Sequence, residues 1–109
     1  MRYTVRMASA VDIGTLIVRT PGFVGGRPRI DGTRILVALI AQDIAHGATP
    51  EQIVTDFYDH LNLTQVYAAM AFYHANREEI DADIAEENRL YDEMAEEARR
   101  NGQETNRPA

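Results

Sequence analysis

The spacing of apolar residues changes several times along this chain, and each change marks an element. Residues 1 to 14 show no sustained period and read as an N-terminal arm that pairs at an edge or stays mobile. Thr15 to Arg19 is a short, largely β-branched run stopped by Pro21 and Gly22, which predicts a strand followed by loops; Gly25 and Gly26 then make a turn before Pro28. Arg29 and Ile30 are separated from Thr33, Arg34 and Ile35 by Asp31-Gly32, the dipeptide best suited to a two-residue turn, so a small β-hairpin is expected there. From Leu36 the period becomes helical. Leu36, Leu39, Ile40 and Ile44 fall on one stripe and Gly47 is a natural stop. Thr49-Pro50-Glu51-Gln52 combines a capping hydroxyl, a proline at the first helical position and a glutamine at the third, so a second helix opens here with Ile53, Val54 and Phe57 on its apolar face. After a short connection from Tyr58 to Leu61, Asn62 and Gln65 repeat the capping pattern and open a third helix. Leu63, Val66, Tyr67, Met70 and Tyr73 supply its expected buried stripe. Asn76-Arg77-Glu78-Glu79 is compatible with the cap of a fourth helix and with a polar turn inside one continuous helix. Beyond it, Ile80, Ile84, Tyr91, Met94 and Ala98 form a narrow apolar seam along residues 77 to 100, and a helix so patterned needs something to lie against. Residues 101 to 109 are expected to fray when alone.

Composition narrows the class. A chain of 109 residues is one domain by length, and 45% hydrophobic with 26% charged residues is ordinary globular composition. The absence of cysteine excludes a disulfide framework and a thiolate metal site and suits a reducing cytosol. No segment approaches the roughly 20 apolar residues that span a bilayer, so a cytoplasmic protein with no membrane partner is expected. The net charge of -6 speaks against nucleic acid, but its distribution does not: residues 1 to 50 balance at +3 and residues 51 to 109 at -9. All basic residues are arginine.

Two capped helices joined by a short connection and preceded by another helix match the helix-turn-helix pattern, in which the later helix enters the major groove; any three-helix bundle demands the same spacing. The outward positions of that later helix are expected to be Thr64, Gln65, Ala68, Ala71 and His74, which offer hydrogen bonds and methyl contacts but no cation before Arg77. Phosphate anchoring falls to Arg27, Arg29 and Arg34 around the glycine turn and hairpin, against the competing reading that they are solvated or paired with Asp31 or the acidic tail. Gly22, Gly25 and Gly26 lack the Gly-Lys-Ser/Thr ending and the following helix of a nucleotide loop. His46, His60 and His74 sit on three predicted elements without metal-site spacing, and the carboxylates cluster on one helix without a nucleophile; neither a metal, a cofactor nor a catalytic residue is expected.

The run from Thr20 to Val37, with Gly25-Gly26-Arg27-Pro28 and Gly32-Thr33-Arg34 at fixed separation, closely resembles the signature of the family called domain of unknown function 433. Gly47-Ala48-Thr49-Pro50-Glu51-Gln52-Ile53 resembles its glycine, hydroxyl and acidic segment, and His60 to Leu63 leading into Ala68-Ala69-Met70 resembles its final core helix. Asn62 stands where threonine is usual, and caps as well; Arg29 stands where an aliphatic residue is common. The resemblance implies a small helix-turn-helix domain similar to VapB-type antitoxins, whose genes often adjoin one for a PIN-like ribonuclease toxin. It implies a dimer that binds its own operator and a C-terminal segment that wraps the toxin, ordering as it binds. Arg99, Arg100 or Arg107 then suit an acidic nuclease site better than the glutamates, which would meet a basic rim.

The expected architecture is mainly α: a small N-terminal β-hairpin, a three-helix helix-turn-helix core and a long acidic C-terminal helix. Residues 1 to 76 form the domain and residues 77 to 109 the partner-binding extension. The expected function is that of an antitoxin-like regulator of a toxin-antitoxin pair, a homodimer without enzymatic activity that needs no small-molecule substrate. DNA contacts are expected from Arg27, Arg29, Arg34, Thr64, Gln65 and His74, and partner contacts from Ile80, Ile84, Tyr91, Met94, Arg99 and Arg100. The alternatives are a protein-interaction module that never touches DNA, and a carboxylate nuclease using a divalent ion.

Overall fold

The computed structural model describes residues 11–105, so most of the N-terminal arm and the end of the tail, with Arg107, lie outside the described residues. Among the described residues the fold is mainly α-helical, with one two-stranded antiparallel sheet toward the N-terminal side. A 3-10 turn at Ile13–Thr15, capped by Asp12, leads into β1 (Ile17–Val18), and β1 pairs with β2 (Arg29–Ile30) in the register Ile17 to Ile30 and Val18 to Arg29. The hairpin is thus present, but its partner strand is β1. The Asp31-Gly32 turn forms as expected, with Gly32 at φ 78°, and the Thr33 amide and hydroxyl both donate to the Ile30 carbonyl. The segment after it pairs with β2 only through the Ile30 amide to the Ile35 carbonyl, at 2.9 Å, and a single bridge from Arg29 to Leu36. No room remains for a longer strand, because the helix begins at Val37.

Helix α1 (Val37–Ala45) ends where Gly47 takes φ 102°, a value a β-carbon disfavours. Helix α2 (Pro50–Gln52) opens with a reciprocal capping box: the Gln52 amide donates to the Thr49 hydroxyl at 3.1 Å, and the Thr49 amide to the Gln52 side chain at 2.9 Å. It continues as a π-helical turn, Ile53–Phe57, closed by the Tyr58 amide donating to the Ile53 carbonyl at 2.8 Å. Helix α3 (Leu63–Ala75) opens with the same box built from Asn62 and Gln65. Asn76 leaves helical geometry at φ -136° and ψ 44°, so α3 and α4 (Arg77–Thr105) are two helices; its side chain donates to the Phe72 carbonyl and its own carbonyl accepts from the Ile80 amide.

Two expected faces differ in the structure. Phe57 was expected on the apolar face with Ile53, but the wider π turn rotates it outward, where it is 53% exposed, and puts half-buried Tyr58 in its place. In α3, Leu63 and Tyr67 are exposed and Ala68 is buried, the reverse of the expected pattern. The reason is that α3 is covered on more than one side: α1 packs on it, and so do the N-terminal turn, both strands and α4. Val66 and Ala69 are fully buried and Met70 and Tyr73 half-buried, while Ala68, small enough for close approach, is buried on the opposite flank.

The core gathers one residue from nearly every element. Ile30 of β2, Val37 and Ile40 of α1, Ile53 of the π turn, Val66 of α3 and Ile80 of α4 have no solvent exposure. Packing therefore runs across the expected division at 76/77: the first turns of α4 belong to the domain. Ile84 packs on the same core, the Arg19 guanidinium grips Glu79 through two hydrogen bonds, Arg27 pairs with Glu87, and the Gln42 amide donates to Asn88 at 2.9 Å. The 29-residue helix is about 43 Å long at 1.5 Å per residue, and its second half runs on with Tyr91 73% and Met94 69% exposed.

Ile80→Ala is expected to cost about 2–5 kcal/mol in urea unfolding, whereas Met94→Ala changes stability by less than about 0.5 kcal/mol. Equal effects would contradict the division of the helix. Asn62→Ala is expected to cost about 1 kcal/mol through loss of the α3 cap. The Arg19 hydrogen bonds hold the Glu79 carboxyl below its ordinary value of 4.5. The stability this pair adds is present above pH 4.5 and is lost as pH falls through the depressed value; it is small, since both side chains are more than a third exposed. The melting temperatures of the wild type and Glu79→Gln should therefore differ at neutral pH and converge in acid.

Candidate nucleic-acid interface and partner-binding helix

The loop between the strands presents Phe23, followed by Val24 at φ 46°, a left-handed conformation uncommon for a β-branched residue. Two guanidiniums converge on the Phe23 ring, Arg29 at 4.5 Å and Arg34 at 5.1 Å from its centroid. Arg29 is fixed by hydrogen bonds to the Thr33 carbonyl at 3.0 Å and the Thr20 hydroxyl at 2.9 Å, and its Nε is buried without a partner. Among the described residues neither Arg29 nor Arg34 meets a carboxylate. Two uncompensated cations on one ring, the outer one exposed, form a place where an anion lowers the energy.

Arg27 is different. It was expected among the phosphate anchors, but its side chain is half-buried and paired with Glu87, the competing reading the sequence already offered. Arg19, not singled out in the sequence, is likewise compensated, with Glu79, and lies 5.6 Å from the Phe72 centroid. The four guanidiniums between residues 19 and 34 thus divide into two neutralised by α4 and two left positive. Both ion pairs join residues sixty apart, so no local pattern announces them.

Of the polar residues expected on the outer face of α3, Thr64 and His74 are exposed, whereas the Gln65 side chain is held by the Asn62 amide at 2.8 Å and serves the cap. Ala71 is exposed and Ala68 is not. The exposed positions missed in the sequence are Phe57, Leu63 and Tyr67, at the π turn and the start of α3.

On α4, Ile80 and Ile84 were expected to meet a partner, but they are packed into the chain's own core and are unavailable for that role. Tyr91 and Met94 continue the same helical face, Tyr91 at the edge of the domain beside Leu39 and Gln42 and Met94 beyond it, and both remain largely bare. Arg99 lies 3.7 Å from Glu96, and Arg100 shares a shallow groove with Glu93, Glu96 and Glu97. Arg89 is clasped by Glu86 and Glu93, and these hydrogen bonds raise its pKa and lower that of Glu86. A separate open cleft of about 400 Å³ at the end of α1 is lined by Asp43, His46, Gln52, Asp56 and Phe57. Burial there raises the pKa of Asp43 and, with the Asp43 charge, that of Tyr58. Among the described residues no group of His, Asp or Glu has metal-ligating geometry, and no helix is long and apolar enough to cross a membrane.

Comparison with known proteins bears on the same segment. The family described as protein of unknown function, DUF433, matches residues 17–73, which run from β1 nearly to the end of α3 and include Phe23, the four arginines and both capping boxes. A solved structure of a DUF433 member from Anabaena variabilis ATCC 29413 is similar to this chain with a TM-score of 0.60 and 31% sequence identity, over 77% of each chain. No curated protein matches. The matched segment spans more than half of the sequence, and the chain belongs to the DUF433 family.

Proposed function

We propose that this chain is the antitoxin-like member of a two-protein regulatory pair, a cytoplasmic homodimer that binds its own operator and restrains a PIN-like ribonuclease through α4. The observation that carries the reading is the division of α4. Its first turns are built into the core around Ile80, and its second half projects an apolar seam, Tyr91 and Met94, between acidic flanks. A soluble chain gains nothing from bare tyrosine and methionine on a projecting helix unless something covers them. The resemblance to VapB-type antitoxins names the kind of partner, and Arg99 and Arg100, toward the end of the helix, suit its acidic active site.

For DNA, the support is the Arg29 and Arg34 pair on Phe23, with Thr64 and His74 exposed on α3, the helix that would enter the groove in a helix-turn-helix. Dimerisation would supply the second half-site. A second reading, a protein-interaction module without DNA binding, draws support from the neutralisation of Arg19 and Arg27 by Glu79 and Glu87, which removes half of the loop's positive charge.

Gel-shift titration against the chain's own promoter separates the readings. The regulator reading expects salt-sensitive binding, and expects Arg29→Ala with Arg34→Ala to weaken it about tenfold or more and to reduce the log-log salt slope by about 0.9 per lost phosphate contact. Unchanged affinity in that double variant leaves only the interaction module. Tyr91→Ala with Met94→Ala is expected to relieve inhibition of the neighbouring ribonuclease by about 30-fold or more while leaving promoter binding intact. Full inhibition by this variant would overturn the role given to α4.

A further inference from the structure

Along α4, Glu79, Asp83 and Glu87 recur every fourth residue and so stand on one face, about 6 Å apart along the axis. That face lies over the arginine-bearing loop. Glu79 takes Arg19 and Glu87 takes Arg27, while Asp83, between them, is near enough to feel both guanidiniums. Arg27 also lines a shallow groove of about 300 Å³ with Arg34, Glu87, Val24 and Leu36, so the compensated and uncompensated arginines border one surface. The row of carboxylates sets several negative charges side by side, as a nucleic-acid backbone does, and it is joined covalently to the surface it covers.

We propose that the proximal half of α4 is a tethered polyanion that competes with nucleic-acid phosphates for Arg19 and Arg27, holding the arginine surface of the domain partly closed. The inference rests on the nucleic-acid reading above and adds its regulation. The two carboxylates are supplied by the same chain, so their effective concentration at the guanidiniums is fixed by the docked helix. A phosphate backbone must displace both to engage all four arginines; Arg29 and Arg34 provide the foothold that needs no displacement. The shield need not detach as a whole, because Ile80 holds the helix in the core independently of the ion pairs. Anything that draws the Glu79 and Glu87 side chains away from the two guanidiniums, with the helix still docked, then raises nucleic-acid affinity.

The test is fluorescence anisotropy of the full chain with a labelled 20-base-pair duplex, as promoter sequence and as scrambled sequence, at two salt concentrations. The variant is Glu79→Gln with Glu87→Gln. The control for the change in net charge is Glu78→Gln with Asp92→Asn, two exposed acids for which the structure gives no ion pair. The shield variant is expected to bind about tenfold or more tighter than the wild type, with a log-log salt slope steeper by about 0.9 for each of two added phosphate contacts; the control is expected to gain less than about threefold. Circular dichroism should show undiminished helix in both. Equal gains in the two double variants, or no gain in the shield variant, overturns the proposal. If the wild type prefers its promoter while the shield variant gains nothing, the shield falls and the regulator reading stands. If the shield variant gains equally on both duplexes and the wild type shows no preference, the shield stands and the operator reading falls.

Discussion

The structure depends on one contact: the burial of Ile80 among Ile30, Val37, Ile40, Ile53 and Val66. A domain of this size has little apolar surface to spare, and without Ile80 and Ile84 the core would open on the side that α4 now covers. Placing those residues on the first turns of a helix that then continues for many more fixes the direction of the whole rod. The polar groups around the contact set its register. Arg19 with Glu79 and Arg27 with Glu87 lie on one flank of the buried Ile80–Ile84 seam and Gln42 with Asn88 on the other, so a rotation or slip would break all three. Partly exposed ion pairs contribute little stability individually, and their value here is in specifying the docked orientation.

The same contact shapes the functional surface. Because the docked half of α4 carries carboxylates toward the loop, the opposite charges of the two halves of the sequence are not simply held apart. They meet, and only part of the positive charge survives as a surface feature. Arg29 and Arg34 survive because, among the described residues, neither is paired with a carboxylate; both lie over Phe23 instead, although Arg34 shares a groove with Glu87. In the distal half, Tyr91 borders a shallow groove with Leu39 and Gln42 but is largely bare, as is Met94, and the two are the mirror of the buried isoleucines earlier on the seam. One amphipathic pattern thus performs two tasks, docking within the chain and presentation outside it.

What could be read from the residues was what is local. The Thr49–Gln52 and Asn62–Gln65 capping boxes form as written, Gly32 and Gly47 take the positive φ their positions demand, and the mainly helical architecture with a small hairpin follows from periodicity. Membership of the DUF433 family was legible from the glycine, proline and arginine spacing between Thr20 and Val37. What escaped depends on distance or on small departures from ideal geometry. One π turn exchanges Phe57 for Tyr58, a change no spacing rule foresees. Helix α3 is covered on several flanks, so its stripe of Leu63 and Tyr67 pointed the wrong way. The seam from Ile80 to Met94 looks uniform in sequence and is divided only by where the domain ends. Arg27 and Glu87 are too far apart in sequence for charge pattern alone to pair them.

Native-state hydrogen exchange on the full chain tests the divided helix most directly. Amides from about residue 80 to residue 88 should be protected nearly as well as those of Val37–Ala45, and amides beyond Tyr91 should exchange at least about a hundredfold faster. Uniform exchange along Arg77–Thr105, or a proximal half as open as the distal one, would contradict the account.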